Sequence, residues 1–353
     1  MTARPTRMTL SVPGDYLLAR DYCSYGYFLL APNHWDPDTH TLYRVLDLED
    51  SPAVLAVNQG PPFRTLPRSL RGKPLTVRAS RVLSRAEQSR VRADLSRMLR
   101  LDEDRRTIAA FHRADPRWKR SGRGRLMRSP TLFEDILKTV TSCNVTWPGT
   151  VNMNRRLCEV LGTKVGQVSD LTSKVSRVSD LTSASCPLRH TFPTPEKLAR
   201  ARATTLRGRC RVGYRDRRMI ELARLFASRR GKPPTLDPRW FEDPRTPSGE
   251  IHDTLLSLPG IGPYAAANIM QLLGRYDRLP LDTESVRHGR DVLGLVGTDA
   301  HVMKKVADHF APFGRHAFRS YWFEMWTHYE KKVGPSWTWR RETDATQFTA
   351  SKL

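Results

Sequence analysis

Residues 251–285 read IHDTLLSLPGIGPYAAANIMQLLGRYDRLPLDTES, and the middle of that stretch has to reverse the chain. An apolar helical pattern runs up to Leu258 and is cut by Pro259-Gly260-Ile261-Gly262. Pro263 then opens a second apolar run, at the one helical position where a missing N–H costs nothing. The two glycines supply the backbone freedom of a tight turn and leave no Cβ in the way of an approaching molecule. The pattern predicts a helix, a four-residue turn and a helix over 250–275. The free amides at the start of the second helix sit beside a positive helix end, which suits an anion and needs no side-chain charge.

The composition names the anion. Lys and Arg total 59 against 36 Asp and Glu in 353 residues, a formal charge of +23. A chain so basic faces a polyanion, most simply nucleic acid, so the hairpin reads as a phosphate site. At 39% hydrophobic and 27% charged the composition is that of a globular protein with a real core. No apolar run approaches a membrane span, and the opening MTARPTRMTLSV lacks a signal-peptide core, so the expectation is an intracellular protein with no membrane partner. The five cysteines, Cys23, Cys143, Cys158, Cys186 and Cys210, are scattered without a C-x-x-C pair, which argues against zinc and iron–sulfur sites.

Around the hairpin the chain divides in three. Residues 1–100 mix short strands with Pro/Gly turns; Leu75, Val77 and Ala79 alternate with polar residues, as in a half-buried strand, and Val91, Leu95, Met98 and Leu99 share a helix face. Residues 101–340 read as mainly helical and 341–353 as a frayed tail. Within the helical part, 112–128 is a basic, Gly-interrupted connector, Ser129-Pro130 caps a helix with the stripe Phe133, Ile136, Leu137 and Val140, and 231–249 reads as loop. The hexapeptide VSDLTS occurs twice, at 168–173 and 178–183, inside a polar insertion over 164–188. It reads as a duplicated surface segment, short of the three units a solenoid needs.

Asp282 follows the second helix after the segment Arg275–Leu281, close enough for the chain to return it to the mouth of a cleft beside the hairpin. A loop aspartate is ordinarily a cap or turn residue. The combination LPGIG…LPLD, however, resembles the helix-hairpin-helix and Gly/Pro-rich-loop signature of base-excision DNA glycosylases, nearest the 8-oxoguanine DNA glycosylase and 3-methyladenine DNA glycosylase II branches. The resemblance extends over 75–330. RSPTLFEDILKTVTSCNVTW is similar to the opening of that family's helical core, and FPT followed by VGYRDRRMIELARLF is similar to its central stretch. Residues 1–100 loosely resemble its antiparallel β domain. The fold class implied is α+β, an N-terminal antiparallel sheet followed by an all-α, two-lobed glycosylase core.

That resemblance implies roles. Asp282 matches the catalytic carboxylate. Tyr264 stands where bifunctional members carry a Schiff-base lysine; a phenol cannot form that imine, so hydrolysis without strand cleavage is expected. Tyr214 resembles the wedge that fills the gap left by a flipped base, and Asn144 and Arg215 resemble groups contacting the orphaned partner. Leu258, Gly260, Ile261 and Gly262 would face DNA, and the carbonyls of Leu256, Leu258 and Ile261 would hold a structural K+ or Na+. No other cofactor is implied, and the iron–sulfur motif of a related branch is missing. For the base pocket the candidates are Trp147 and a late stripe, Phe318, Tyr321, Trp322, Met325, Trp326 and Tyr329, together with Arg319; such stripes are mostly plain core. His288 reads as a backbone or phosphate contact. The expected activity is excision of a damaged base from double-stranded DNA by a monomer, alkylated purines favoured and 8-oxoguanine the alternative, in the cytoplasm of a bacterium or the nucleus of a eukaryote. The alternatives are a non-catalytic DNA-binding protein and a glycosylase/lyase using Lys119 or Lys138.

Overall fold

The structure, a computed structural model, describes residues 4–63, 65, 67–166, 188–228 and 232–344, so the duplicated hexapeptide lies outside the described residues. The N-terminal part is a sheet of β1 (Arg7–Leu10), β2 (Asn33–Asp36), β3 (Thr41–Leu46), β4 (Ala53–Asn58) and β5 (Leu75–Ala79), with a short helix α1 (Leu18–Tyr22) between β1 and β2. The order is β1-β5-β4-β3-β2, antiparallel throughout. In β5 the expected alternation holds: Leu75, Val77 and Ala79 are buried and their neighbours are not. β3 and β4 are apolar on both faces. Because side chains alternate across a strand, Leu42, Leu55 and Val57 enter one core while Tyr43, Val45, Val54 and Ala56 enter a second.

The helices sort onto those two cores. They are α2 (Arg85–Met98), α3 (Arg105–Ala114), α4 (Leu132–Ser142), α5 (Trp147–Leu161), α6 (Pro195–Ala199), α7 (Ala203–Thr205), α8 (Asp216–Phe226), α9 (Pro238–Glu242), α10 (Ser248–Ser257), α11 (Pro263–Leu272), α12 (Thr283–Asp291), α13 (Asp299–Phe310) and α14 (Ala317–Val333). α2 and α12–α14 pack on the first core, α4, α5, α8, α10 and most of α11 on the second. A buried ionic triad ties sheet to helices. Glu134 of α4 receives Arg44 of β3 at 2.6 Å and Lys138 at 2.7 Å. Burial opposes ionisation of Glu134, but the two cations win and hold its acidity at about 2.

Several local expectations are corrected. The cap of α4 is Thr131, whose side chain accepts from Glu134 N, while Ser129 instead donates its amide to Asp135. The 112–128 connector packs several of its basic residues inside the protein. It begins in the last turn of α3, and Arg123, Arg125 and Arg128 are buried, Arg125 on Asp15 and the Glu103 carbonyl. Residues 231–249 contain α9, capped by Asp237, and the start of α10. At the end of the described chain Arg340 pairs with Asp38 and Arg341 donates to the carbonyls of Leu29 and Asn33, while 345–353 of the expected tail lie outside the described residues.

Candidate active site

α10 ends at Ser257 with Leu258 as its C-cap, and α11 begins with Pro263 in its first turn, as the sequence requires. Gly260 sits at φ +78°, a left-handed conformation, and a Cβ there would lie 2.8 Å from Cδ of Arg218. Gly262 has open space where a Cβ would point. Both glycines are exposed, whereas Leu258 and Ile261 bury their side chains and offer the surface only backbone. The Leu258 carbonyl accepts Ile261 N–H at 3.2 Å across the turn.

One large cavity, about 780 Å³, opens beside this hairpin. Asp282 lies in its wall, half-buried, as the N-cap of α12. Its Oδ1 accepts the amides of Glu284 at 3.0 Å and Ser285 at 3.1 Å, and its own amide donates to Ser285 Oγ at 3.2 Å. This capping box fixes the carboxylate. Burial pushes its pKa up to about 6, with the neighbouring Glu284 adding to the rise; the helix amides and a hydrogen bond from Tyr264 pull the other way without cancelling it.

Tyr264, in the first turn of α11, is thus the direct neighbour of Asp282. Burial and that carboxylate push its phenol well above the ordinary range, so it remains a protonated donor. One turn on, Asn268 contacts the Tyr264 carbonyl at 3.4 Å through Nδ2 and accepts the Tyr25 hydroxyl at 3.1 Å. Tyr25, Gly26 and Tyr27 line the cavity from the sheet side. The sequence reading missed them, because nothing local marks contacts with helices more than 110 residues away.

The rim follows the α4–α5 turn and the residues before α8. Asn144, at φ +49°, reaches the Tyr214 hydroxyl at 3.4 Å, and Tyr214 is 54% exposed. Arg215 lies 4.6 Å beneath the Tyr214 ring but is buried, donating to the carbonyls of Val140, Val212 and Cys143. It braces the turn through these bonds while lining the cavity. Arg218, exposed at the cavity edge, is a second cation, 5.7 Å from the Tyr214 ring centre.

The far wall is aromatic. Trp147 packs its ring on Gly26, where a Cβ would meet it at 2.9 Å. Trp322 stands between Phe318 and Trp326, at ring distances of 5.9 and 5.3 Å, with its indole N–H on the Ser24 carbonyl. Tyr321, Trp322, Met325, Trp326 and Tyr329 line the cavity, while Phe318 turns into the core. Arg319 does not reach the cavity. It is 1% exposed, paired with Glu103 at 2.7 Å and stacked 3.9 Å over Tyr276. His288 is likewise internal, 3.0 Å from Glu324, so it contacts no phosphate.

Solved structures with this architecture are found. The 3-methyladenine DNA glycosylase of Archaeoglobus fulgidus superposes with a TM-score of 0.57 at 16% identity, covering 89% of this chain and 95% of its own. The 8-oxoguanine glycosylase/lyase of Clostridium acetobutylicum, in its apo form, gives 0.60 at 16% identity over 91% and 98%. Its complex with double-stranded DNA containing cytosine opposite 8-oxoguanine gives 0.59 at 17% over 94% and 99%. The chain shares the fold of these DNA glycosylases. No protein-family model and no curated protein sequence matches the chain.

Proposed function

We propose that this chain is a DNA glycosylase that hydrolyses the N-glycosidic bond of a flipped, damaged base and leaves the strand intact. The observation that carries the proposal is Asp282: a carboxylate with a pKa of about 6, in the wall of an aromatic cavity, beside an exposed hairpin suited to phosphate. A base within a duplex cannot reach such a group, so it is swung out at a cost of roughly a few kcal/mol of stacking. The exposed Tyr214 ring fills the vacancy, and the hairpin amides hold a backbone phosphate.

When the C1′–N bond breaks, its electron pair leaves with the base and the sugar becomes oxocarbenium-like. Ionised Asp282 stabilises that cation and orients the water whose oxygen bonds to C1′, and the water's proton passes to the carboxylate. A cationic alkylated base leaves neutral and the proton goes on to solvent, whereas a neutral base leaves as an anion and takes up that proton. Monofunctional chemistry is supported by the cavity wall, which holds no lysine among the described residues. Lys138 is fully buried on Glu134, and Lys119 is exposed away from the cavity, so neither offers the amine of a lyase. The carbonyls of Leu256, Leu258 and Ile261 would hold a monovalent cation. Three neutral oxygens suit such an ion, and the Leu258 oxygen keeps a second lone pair beside its bond to Ile261. Its contribution would be to stiffen the turn.

Alkylated purines are the favoured substrates. Trp147, Trp322 and Trp326 make the wall aromatic, and the carboxylates of Asp282, Glu284 and Asp299 lie in the same wall. A cationic base gains from both, by on the order of 1 kcal/mol per ring face. Its glycosidic bond is already labile. Arg319, the polar reader considered for a neutral oxidised purine, is committed to Glu103. The test is a set of duplexes carrying 7-methylguanine, 3-methyladenine or 8-oxoguanine opposite cytosine, at equal enzyme, with borohydride present in parallel. Faster release of the alkylated purines with no trapped adduct is expected; faster release of 8-oxoguanine overturns the substrate preference, and a trapped protein–DNA adduct overturns simple hydrolysis.

A further inference from the structure

We propose that Tyr321 and Ser285 are positioning residues for Asp282: a hydrogen-bonded chain running from the buried phenol through the serine hydroxyl holds the carboxylate in place. This rests on the glycosylase reading for its consequence in catalysis, but not for its geometry. Ser285 is completely buried one turn into α12, and Tyr321, 2% exposed, comes from α14, so two separate elements meet behind the carboxylate. Their oxygens are 2.8 Å apart. Ser285 Oγ also accepts the Asp282 amide at 3.2 Å and lies 3.5 Å from Asp282 Oδ1.

Counting protons gives the chain a direction. The Tyr321 phenol stays protonated, since burial and the Asp282 charge both oppose its ionisation, and its hydrogen-bond partner among the described residues is Ser285. If the serine gave its proton to Tyr321, the phenol proton would be left buried without an acceptor, which is expensive. The satisfied arrangement has Tyr321 donating to Ser285 Oγ and the serine proton turned towards Asp282 Oδ1. Oδ1 then collects the serine hydroxyl in addition to its two amides. Bonds to the charged form favour that form, so the chain works against the burial that raises the carboxylate's pKa.

The other groups around Asp282 do not duplicate this. Tyr264 of α11 donates to it, Glu284 on its own helix repels it while tied to Arg287 and Tyr329, and Cys143 and Tyr25 are neutral neighbours from α4's end and the sheet side. Tyr321 acts on Asp282 through Ser285, the residue whose hydroxyl also closes the capping box.

The experiment titrates the Asp282 carboxyl by ¹³C NMR in the full-length free protein and, in parallel, measures single-turnover excision from pH 5.5 to 8.5. It compares wild type, Tyr321→Phe, Ser285→Ala and Ser285→Thr, with the fold checked by circular dichroism. Loss of one donor should raise the titration midpoint by about 0.5–1 unit in Tyr321→Phe and Ser285→Ala, and Ser285→Thr should restore it. Excision by Tyr321→Phe should fall about two- to fivefold at pH 6 and return close to wild type at pH 8.5, the loss of ionised carboxylate that this shift implies. An unmoved midpoint, or a drop equal at every pH, overturns the proposal and leaves Tyr321 a packing residue. If the wild type releases no base at all, the glycosylase reading fails, while the NMR arm still decides whether the chain exists.

Discussion

Asp282→Asn should separate chemistry from stability. In the folded protein the carboxyl is raised from 3.8 to about 6, chiefly by burial, so the folded state binds its proton more tightly than the unfolded chain does. Ionising it therefore costs the folded state free energy. That cost is complete above pH 6, shrinks as pH falls from 6 towards 3.8, and vanishes below that range. At about 1.4 kcal/mol per unit, two units give a ceiling of about 3 kcal/mol; solvent at the half-exposed rim reduces this to about 1–2 kcal/mol. Asparagine keeps an oxygen to accept the Glu284 and Ser285 amides and is as good an N-cap as aspartate, so the helix start survives. The variant should accordingly be more stable than wild type at pH 7.5, by a smaller margin at pH 5.5, and nearly equal to it at pH 4. Urea unfolding at the three pH values, followed by circular dichroism and fluorescence, reads this directly. A variant less stable than wild type at pH 7.5, or a difference that ignores pH, would refute the reasoning that burial strains this carboxylate.

Glu134→Ala should destabilise the protein by about 3–5 kcal/mol, because Arg44 and Lys138 are left buried without their anion; denaturant unfolding checks it, and a loss under 1 kcal/mol would show the triad to be slack. Gly262→Val places a branched side chain in the open space before α11 without forcing the backbone, so duplex affinity should drop equally for damaged and undamaged DNA at unchanged melting temperature; lesion-dependent weakening in a filter-binding assay would contradict a phosphate role. Arg218→Gln should reduce the slope of log affinity against log salt by about 0.9, the share of one phosphate contact, and an unchanged slope would place Arg218 off the DNA path.

The hairpin was legible because Pro and Gly act locally: Pro259, Gly260, Gly262 and Pro263 punctuate the pattern wherever the rest of the chain goes. The alternating strand Leu75–Ala79 and the α2 face were legible for the same reason, since periodicity reports burial of one side. Periodicity cannot say what lies opposite, and the late stripe shows this. Trp322 and Trp326 reach the cavity while Phe318 and Arg319, on the same helix, serve the core. The burial of arginines in the basic run 112–128 was not legible because the partners, Asp15 and Glu103, lie outside the run. Tyr25 and Tyr27 were invisible for that reason too: their partners Asn268 and Thr139 lie 243 and 112 residues away, and only the folded sheet carries them to the helices. The acidity of Asp282 belongs in the same group. A sequence can nominate an aspartate, but its pKa follows from the burial and donors that the fold assembles around it.

The central claim is that Asp282 turns a DNA-binding hairpin protein into a hydrolase. The direct measurement is single-turnover release of 7-methylguanine from a duplex by wild type and Asp282→Asn, with binding to the same duplex measured alongside and each reaction split between neutral quench and alkali. Wild type should release the base and yield strands that break only in alkali, whereas Asp282→Asn should bind with similar affinity and release base about a hundredfold more slowly or worse. Equal release by the two proteins, or strands already broken at neutral pH, would contradict it.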